Sequence, residues 1–438
     1  MGMSLIVDRF VIFYCDVLIF LLIKDWDWNW STEGELRFSA TTHTGDGTSK
    51  CTTRVAEFSV FSPDTFEHLR NSIFGISDSE YHQSIFESGP FVSFQSNSKG
   101  AARVGGVFFF TRDGTYMVKT IKKEEAKILL QMLPMYHKHM KKYGRTSLLT
   151  RFCGMYGVRV YDEGSLDRGK LQTFVVMNSA FPAEASRFIS ERFDLKGSTV
   201  GREVSEEELR KKGREAVMKD LDLAREVQLI NSIKEGSDRK QVYSGFHIGP
   251  QAKSALLAQL RQDVKLLVDC QVMDYSLLVG VVDMETFLHF DRSARAAIQS
   301  LHKVGFKFST SKKIEERALW ALGAPIRLLI APPTFMAKQV WSLVHRTLSS
   351  IVTYPLPYYG SGECGVDGGL LSVFHGTRNG KRALYYMGLI DFLQPWTTRK
   401  VIERQLKGLM GQDINAISCV TPKEYADRFL EFMEKHIS

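Results

Sequence analysis

Three residues of the chain have types and surroundings suited to phosphate and metal chemistry. Lys119 lies in the apolar run YMVKTI, Asp274 lies between the apolar stretches of QVMDYSLLVG, and Asp391 ends the apolar run MGLID. A charge within an apolar strand is costly unless it meets a partner. A strand lysine followed along the chain by two separate carboxylates is the order in which phosphoryl-transfer enzymes of the kinase type supply their phosphate and metal ligands. The sequence therefore predicts a phosphoryl-transfer site.

Each of these residues also has a simpler explanation. Lys119 is compatible with an edge-strand lysine that extends its amine to solvent, and both aspartates are compatible with turn caps. The segment before Lys119 favours the functional interpretation, because VGGVFFFTRDGTYMVKTI reads as two strands around an Asp-Gly turn. The glycine-rich segment before it, SNSKGAARVGG, predicts a loop over the ATP phosphates, since glycine allows close backbone approach. Its candidate contacts are Ser98, Gly105 and Gly106.

Other features exclude an ordinary protein kinase. The chain has no HRD motif, and Asp391 is followed by Phe392 and Leu393 rather than by Phe-Gly. The fifth position after Asp274 is Val279, where a protein kinase carries a metal-binding asparagine.

The patterns along the chain predict the elements that position these residues. A capped helix should begin after Ser62, a long helix follows the hairpin with a kink or restart at Pro134, and LQTFVVMN should form a central strand. Partly helical sequence covers residues 203–264, MDYSLLVGVVD and YYMGLIDF are apolar strands, and the chain closes with an amphipathic helix. The order of strands, helix and connecting strand matches the small lobe of a kinase-like fold.

The domain boundaries follow from changes in composition. Residues 1–55 form an N-terminal extension, in which the Ser-, Thr- and Gly-rich stretch 31–55 is interpreted as a linker. Residues 56–438 form the catalytic domain. Within it we expect a small lobe over 56–182, a large lobe over 183–438 and an insertion at about 286–356.

The N-terminal apolar segment 10–23 is shorter than the roughly 20 residues that a spanning helix needs. Three tryptophans follow it, and tryptophan favours the headgroup layer of a membrane. A membrane anchor, a segment buried in the protein and a disordered segment all stay open.

The net charge and the basic clusters of the chain indicate which kind of molecule it binds. A net charge of +8 suits an anionic partner, and the 6 cysteines are scattered, with no CxxC pair that would indicate zinc. The basic clusters YHKHMKKYGR and RKVIERQLK belong to no recognisable nucleic-acid module, so we expect no nucleic-acid partner. We expect docking on an anionic membrane instead.

Several sequence motifs of the chain resemble those of the phosphatidylinositol phosphate kinase family. SNSK, MVKT, SLLTRF, FVVMN, FDLKGST, MDYSLLVG, DGGL and LIDFLQPW occur in the order typical of that family, over residues 56–285 and 358–438. FDLKGST together with MDYSLL is highly specific. The phosphate loop departs from the family pattern, because it is about four residues longer and contains Arg103.

The resemblance implies a role for each candidate residue. Lys119 would contact the ATP phosphates, Asn178 would lie at the adenine hinge, Asp274 would be the catalytic aspartate and Asp391 the Mg²⁺ ligand. Four cations would contact the phosphate of the lipid substrate: Lys196, Arg202, Arg399 and Lys400. The resemblance also implies an α+β, bilobal, kinase-like fold with antiparallel sheets flanking a nucleotide cleft. ATP and Mg²⁺ are the implied cofactors, and a phosphatidylinositol phosphate is the implied substrate.

The segment after Asp391 bears on specificity. Family members that phosphorylate the 5-hydroxyl of phosphatidylinositol 4-phosphate have Lys-Lys-apolar-Glu here, whereas 4-kinases have Ala at the acidic position. This chain has Arg399-Lys400-Val401-Ile402-Glu403, which resembles the 5-kinase type with its dibasic pair shifted by one residue. We therefore expect a cytoplasmic enzyme that acts peripherally at a membrane, the plasma membrane in particular. A 4-kinase, a catalytically weak phosphoinositide-binding scaffold and a homodimer stay open.

Overall fold

The structure is a computed structural model. The residues that it describes are 33–43, 49–87, 91–94, 108–181, 186, 188–234, 243–285, 372–397, 400–402 and 420–438.

A seven-stranded antiparallel sheet forms the first half of the fold, in the order β1-β2-β6-β7-β5-β4-β3. Its strands are β1 (Glu33–His43), β2 (Ser49–Val60), β3 (Val92–Phe94), β4 (Phe108–Phe110), β5 (Tyr116–Ile121), β6 (Phe152–Asp162) and β7 (Gln172–Asn178). β7 lies in the middle of the sheet and is buried beyond its first residue, as its apolar sequence predicts. β4 and β5 form the predicted hairpin, in which the Asp113 carboxylate accepts a hydrogen bond from the Thr115 amide at 3.1 Å.

The prediction of a linker over residues 31–55 is wrong. β1 and β2 pair antiparallel over 11 positions, from Glu33 opposite Ser59 to His43 opposite Ser49. Polar composition suggested a linker, but threonine is β-branched and favours the extended backbone, and β2 is completed on its other side by β6. The first sheet therefore begins well before residue 56.

Three helices accompany this sheet: α1 (Pro63–His68), α2 (Asp78–His82) and α3 (Lys123–Tyr143). α1 begins at the predicted place, yet Ser62 has left-handed backbone (φ 48°) and its side chain makes no capping bond. α3 continues through Pro134, so the restart, one of the two expected outcomes, does not occur, and the kink stays a prediction. Its apolar face, which includes Leu129 and Tyr136, is fully buried.

A five-stranded sheet forms the second half, in the order β12-β13-β11-β8-β9, with a two-stranded ladder of β10 and β14 beside it. The strands are β8 (Ile189–Leu195), β9 (Val217–Met218), β10 (Val272–Met273), β11 (Ser276–Asp283), β12 (Ser372–Arg378), β13 (Lys381–Ile390) and β14 (Gln394–Pro395). The helices of this half are α4 (Glu206–Lys212), α5 (Asp220–Lys234), α6 (Pro250–Asp269) and α7 (Pro422–His436). Of the paired strands that the structure describes, β8 and β9 run parallel and the others antiparallel.

The two halves share one core and are joined through the segment after α3. There the Leu389 amide of β13 donates to the Leu148 carbonyl at 2.7 Å, and the Thr150 amide donates to the Leu389 carbonyl at 3.0 Å. One buried apolar cluster runs through both sheets. The α+β, two-lobed architecture expected from the sequence is confirmed.

Two segments about which the sequence made predictions lie outside the described residues: the apolar segment 10–23 and the insertion 286–356. Among the described helices, none combines the length and apolar character needed to cross a bilayer.

Candidate active site

The site is built at a break between two ladders of paired strands. Met273 of β10 pairs with Gln394 of β14, and Ser276 of β11 pairs with Ile390 of β13. Because both pairings are antiparallel and involve the same two stretches of chain, a short unpaired segment remains on each side of the break. Each segment begins with an aspartate, Asp274 on one side and Asp391 on the other. Residues far apart in sequence are thereby brought to one place.

Both aspartates have left-handed backbone, with φ of 66° at Asp274 and 60° at Asp391. This region costs most residues about 1–2 kcal/mol, although Asp tolerates it better than most. Non-glycine residues held in such conformations are concentrated at functional sites. The two outliers, on opposite sides of one break, therefore mark this location as the candidate site.

Lys119 connects the two sheets by an ion pair. Its Nζ lies 2.7 Å from Oδ1 of Asp391 and 5.2 Å from the centre of the Phe108 ring. Half of the Asp391 side chain is accessible, whereas that of Lys119 is 15% exposed. Burial by the surrounding protein opposes ionisation of Asp391, but the charge and hydrogen bond of Lys119, with the charge of Lys196, outweigh it and lower the pKa of Asp391. Asp391 is therefore a carboxylate at neutral pH.

Lys196 forms the second lysine–aspartate pair. Its Nζ donates to the Asp274 carboxylate and to the Asp274 main-chain carbonyl, both at 2.8 Å. Lys196 follows β8 directly, and the turn that carries it is fixed by Asp220, whose Oδ1 accepts from the amides of Lys196 (2.9 Å) and Gly197 (2.7 Å). The predicted phosphate-binding lysine thus contacts the predicted catalytic aspartate.

Arg202 occupies an internal position. Its Nε lies 2.7 Å from Asp220 and its Nη2 lies 2.8 Å from the Asp194 carboxylate. Burial opposes its charge, but these two carboxylates raise the pKa of Arg202. In this structure Arg202 braces the turn at Lys196, and its expected contact with a lipid phosphate stays a prediction.

Asn178 lies at the end of β7, where the chain leaves the first sheet. Its side-chain oxygen accepts from the Arg151 amide at 2.7 Å, and its side-chain nitrogen donates to the Ser179 carbonyl at 3.2 Å. The buried side chain fixes the connecting segments, and the place of Asn178 at an adenine hinge stays a prediction.

Several predicted residues lie outside the described part of the chain: Ser98, Gly105, Gly106, Arg399 and Glu403. Lys400 is described and partly buried, and its amide donates to the Thr397 carbonyl at 2.8 Å.

Sequence reasoning missed three buried residues that support the site. Asp220 begins α5 and resembles an acidic residue of a helix N-terminus, Asp263 lies on α6 amid an amphipathic pattern, and Tyr425 lies on α7. Asp263 accepts hydrogen bonds from the Leu148 amide at 2.8 Å and from the Ser147 hydroxyl at 2.9 Å. No local pattern distinguishes these side chains from ordinary helix residues.

The carboxylates of the site are compatible with Mg²⁺. In the described part of the chain, no cluster of three or more His, Cys, Asp or Glu side chains forms a complete protein cage for a metal. Mg²⁺ in phosphoryl-transfer sites is commonly held by one or two carboxylates together with substrate phosphates and water. The half-accessible, ionised Asp391, with Asp274 across the break, meets that requirement.

Two sheets bridged by a strand lysine, with two carboxylates at the junction, define a bilobal, kinase-like α+β protein. A family profile described as phosphatidylinositol-4-phosphate 5-kinase matches residues 92–436. The chain therefore belongs to the phosphatidylinositol phosphate kinase family, as its sequence motifs predicted.

Named relatives in this family include kinases of both specificities. A phosphatidylinositol 4-phosphate 5-kinase 3 of Arabidopsis thaliana is 31% identical over 376 residues, which cover 86% of this chain and 44% of the relative. Human phosphatidylinositol 5-phosphate 4-kinase type-2 beta is 26% identical over 377 residues, covering 86% and 76%. A probable phosphatidylinositol phosphate kinase of Dictyostelium discoideum is 28% identical over 410 residues, covering 88% and 48%. The chain spans about half the length of the Arabidopsis and Dictyostelium proteins.

Proposed function

We propose that the protein is a lipid kinase that transfers the γ-phosphate of ATP to the 5-hydroxyl of phosphatidylinositol 4-phosphate. The observation that supports this most strongly is the pair of lysine–aspartate contacts at the break between the ladders. Two ammonium groups can bind phosphate there, one carboxylate can hold a metal and the other can accept a proton.

The roles follow from position. Lys119 projects from the nucleotide-binding sheet and binds the ATP phosphates in exchange for part of its contact with Asp391. Asp391 would hold Mg²⁺, which neutralises phosphate charge when bound. Lys196 turns from Asp274 to the phosphate of the lipid headgroup, where a charge-assisted bond replaces the ion pair.

The chemical step is a displacement at phosphorus. The inositol hydroxyl oxygen forms a bond to the γ-phosphorus, the bond from that phosphorus to the β–γ bridging oxygen breaks, and ADP leaves. Asp274, released from Lys196, accepts the hydroxyl proton. Its left-handed backbone holds the carboxylate at the break rather than within a regular strand.

Preference for the 5-hydroxyl rests on Glu403. It occupies the acidic position of the 5-kinase pattern in the chain segment after Asp391. The alternative is a 4-kinase acting on phosphatidylinositol 5-phosphate, the activity for which the human relative described above is named.

The test is ATP-dependent phosphorylation of isomeric phosphatidylinositol monophosphates in vesicles, with product isomers resolved. The 4-phosphate isomer should be the preferred substrate and should yield the 4,5-bisphosphate. Glu403→Ala should shift preference toward the 5-phosphate isomer. A wild-type preference for the 5-phosphate isomer would favour the 4-kinase, and lipid binding without any transfer would favour a scaffold.

A further inference from the structure

We propose that Tyr425, on the C-terminal helix α7, is a positioning residue that holds the backbone of the catalytic strand segment in the conformation that Asp274 needs. The inference rests on the proposed function for its kinetic consequences, because it assigns a role within the same site. Tyr425 acts through the main chain of Tyr275 and does not itself contact the reacting groups.

The contact is direct and fully buried. The Tyr425 hydroxyl donates a hydrogen bond to the main-chain carbonyl of Tyr275. The two rings also pack edge to face, with centres 4.7 Å apart and an interplanar angle of 75°. Neither side chain is accessible to solvent. The bond therefore lies in a dry interior, where a hydrogen bond is strong and its loss is costly.

The catalytic segment needs such support because its backbone is irregular. Asp274 has φ of 66° and lies where pairing with the neighbouring chain is interrupted. Its carbonyl accepts from Lys196 Nζ, and the next carbonyl, that of Tyr275, accepts from Tyr425. The peptide groups on both sides of Tyr275 are thus fixed by side chains, in place of the ladder bonds that would orient them in a regular strand.

Tyr425 is well placed on a helix whose start is itself fixed. Thr421 and Glu424 form a reciprocal capping box: the Glu424 amide donates to the Thr421 hydroxyl at 3.3 Å, and the Thr421 amide donates to the Glu424 carboxylate at 3.0 Å. Tyr425 follows in the same turn. The cap fixes the direction from which the hydroxyl reaches the catalytic segment.

Helix α7 also contacts the turn that carries Lys196, the partner of Asp274 in the ion pair. Gly197 has φ of +67°, and a Cβ there would lie 2.8 Å from Cα of Phe429 and 2.9 Å from the carbonyl oxygen of Arg428. Only a glycine lets the Lys196 turn approach the α7 backbone this closely. α7 therefore contacts both the turn that carries the lysine and the segment that carries the aspartate.

The hydroxyl remains a donor at working pH. Burial, together with the nearby charge of Asp274, raises the pKa of Tyr425 well above its ordinary value. The hydroxyl therefore keeps its proton when Asp274 changes its own partner.

The neighbouring tyrosine supplies a matched control. The Tyr275 hydroxyl is buried and has no hydrogen-bond partner among the described residues. Tyr425→Phe and Tyr275→Phe therefore remove the same atom from the same buried aromatic pair, but only the first removes a bond to the catalytic segment.

The experiment uses the full chain with ATP and vesicles of phosphatidylcholine and phosphatidylinositol 4-phosphate. Tyr425→Phe should lower kcat about tenfold or more and leave KM for ATP within about twofold, since small misplacements of a catalytic group reduce the rate of the chemical step. Tyr275→Phe should keep kcat within about twofold. Amide hydrogen exchange across residues 272–278 should be faster in Tyr425→Phe than in Tyr275→Phe or the wild type.

The outcomes separate this inference from the proposed function. Wild-type transfer with kcat unchanged in Tyr425→Phe, or equal losses in both variants, would overturn the positioning role. A wild-type protein without lipid kinase activity would contradict the proposed function instead. In that case the exchange measurement alone decides whether Tyr425 holds the segment, and equal exchange in all three proteins would overturn it.

Discussion

At the scale of single residues, the candidate site consists of two lysine–aspartate ion pairs. Lys119 pairs with Asp391 and Lys196 pairs with Asp274, at 2.7 and 2.8 Å. Each lysine side chain is largely buried, and an ammonium group in such a position is stable only with an anionic partner. A phosphate group is also an anion and can take the place of either carboxylate. The same two lysines are therefore suited to bind phosphate.

The lowered pKa of Asp391 predicts the pH dependence of one of these pairs. Because the carboxyl group is more acidic in the folded chain than in the unfolded chain, its ionisation stabilises the fold above about pH 4, the usual pKa of Asp. That contribution decreases as pH falls from about 4 through the folded-state pKa. The difference in unfolding free energy between the wild type and Asp391→Asn should therefore be constant from pH 7 to 5 and shift against the wild type toward pH 3.

Chemical denaturation at several pH values measures this difference. A difference that stays constant to pH 3 would show that the Asp391 carboxyl is not stabilised by its lysine neighbours.

The parts of the site that local sequence could predict are those that lie in, or directly after, continuous apolar segments of the chain. The strands carrying Lys119 and Asp391 are continuous apolar segments, so their positions follow from periodicity. The pairing of Lys196 with Asp274 joins residues 78 positions apart and depends on how β8 and β11 align, which no local pattern specifies. Family motifs supplied the roles, and the structure supplies the contacts that the motifs leave out.

At the scale of elements, α6 links the two halves of the molecule beneath the site. Asp263 on α6 is fully buried and accepts four hydrogen bonds. The donors are His139 Nε2 (2.7 Å), Ser147 Oγ (2.9 Å), the Leu148 amide (2.8 Å) and Gln259 Nε2 (2.8 Å). The Leu148 carbonyl in turn accepts from the amide of Leu389, two residues before Asp391. A buried carboxylate thus holds the segment after α3 that is hydrogen-bonded to β13.

Replacing this carboxylate should destabilise the protein strongly. Asp263→Asn keeps the shape but presents an amide group to several donors, and we expect a loss of about 3 kcal/mol in unfolding free energy. Asp269→Asn on the same helix is the control, because its exposed i,i+4 pair with Lys265 contributes little. Chemical denaturation compares the two, and equal effects would contradict the role given to Asp263.

Two errors at this scale have physical causes. Residues 33–43 and 49–60 form strands because main-chain pairing and β-branched side chains outweigh a polar composition. Pro134 is tolerated within α3 because the helix is held on its buried face by Leu129, Met132, Leu133 and Tyr136, so tertiary packing outweighs the local cost.

At the scale of the whole molecule, the end of α3 presents a basic surface. Lys138, Lys141, Lys142 and Arg145 are all exposed, while Tyr136 and Met140 face the core. Basic side chains near an anionic leaflet contribute about 1 kcal/mol each. We propose that this surface contributes to reversible docking on the membrane that contains the substrate.

Substitution of Lys138, Lys141 and Lys142 by Ala should weaken binding to phosphatidylserine-containing vesicles at least tenfold. Wild-type binding should also fall steeply with salt, because exposed charges are screened over about 8–10 Å near physiological ionic strength. The control removes the same charge at Lys253, Arg261 and Lys265 of α6, which already have protein partners. Equal losses in both triple variants would indicate a net-charge effect and not a docking surface.

The central claim is that the break between the two ladders is a phosphoryl-transfer centre, and Asp391→Asn tests it most directly. The measurement is transfer of labelled γ-phosphate from ATP to phosphatidylinositol 4-phosphate in vesicles, with Asp269→Asn as a control. We expect ATP-dependent product from the wild type and the control, and at least a hundredfold lower rate from Asp391→Asn, because the amide cannot replace the metal-binding charge. Activity of Asp391→Asn within about threefold of the wild type would contradict the account.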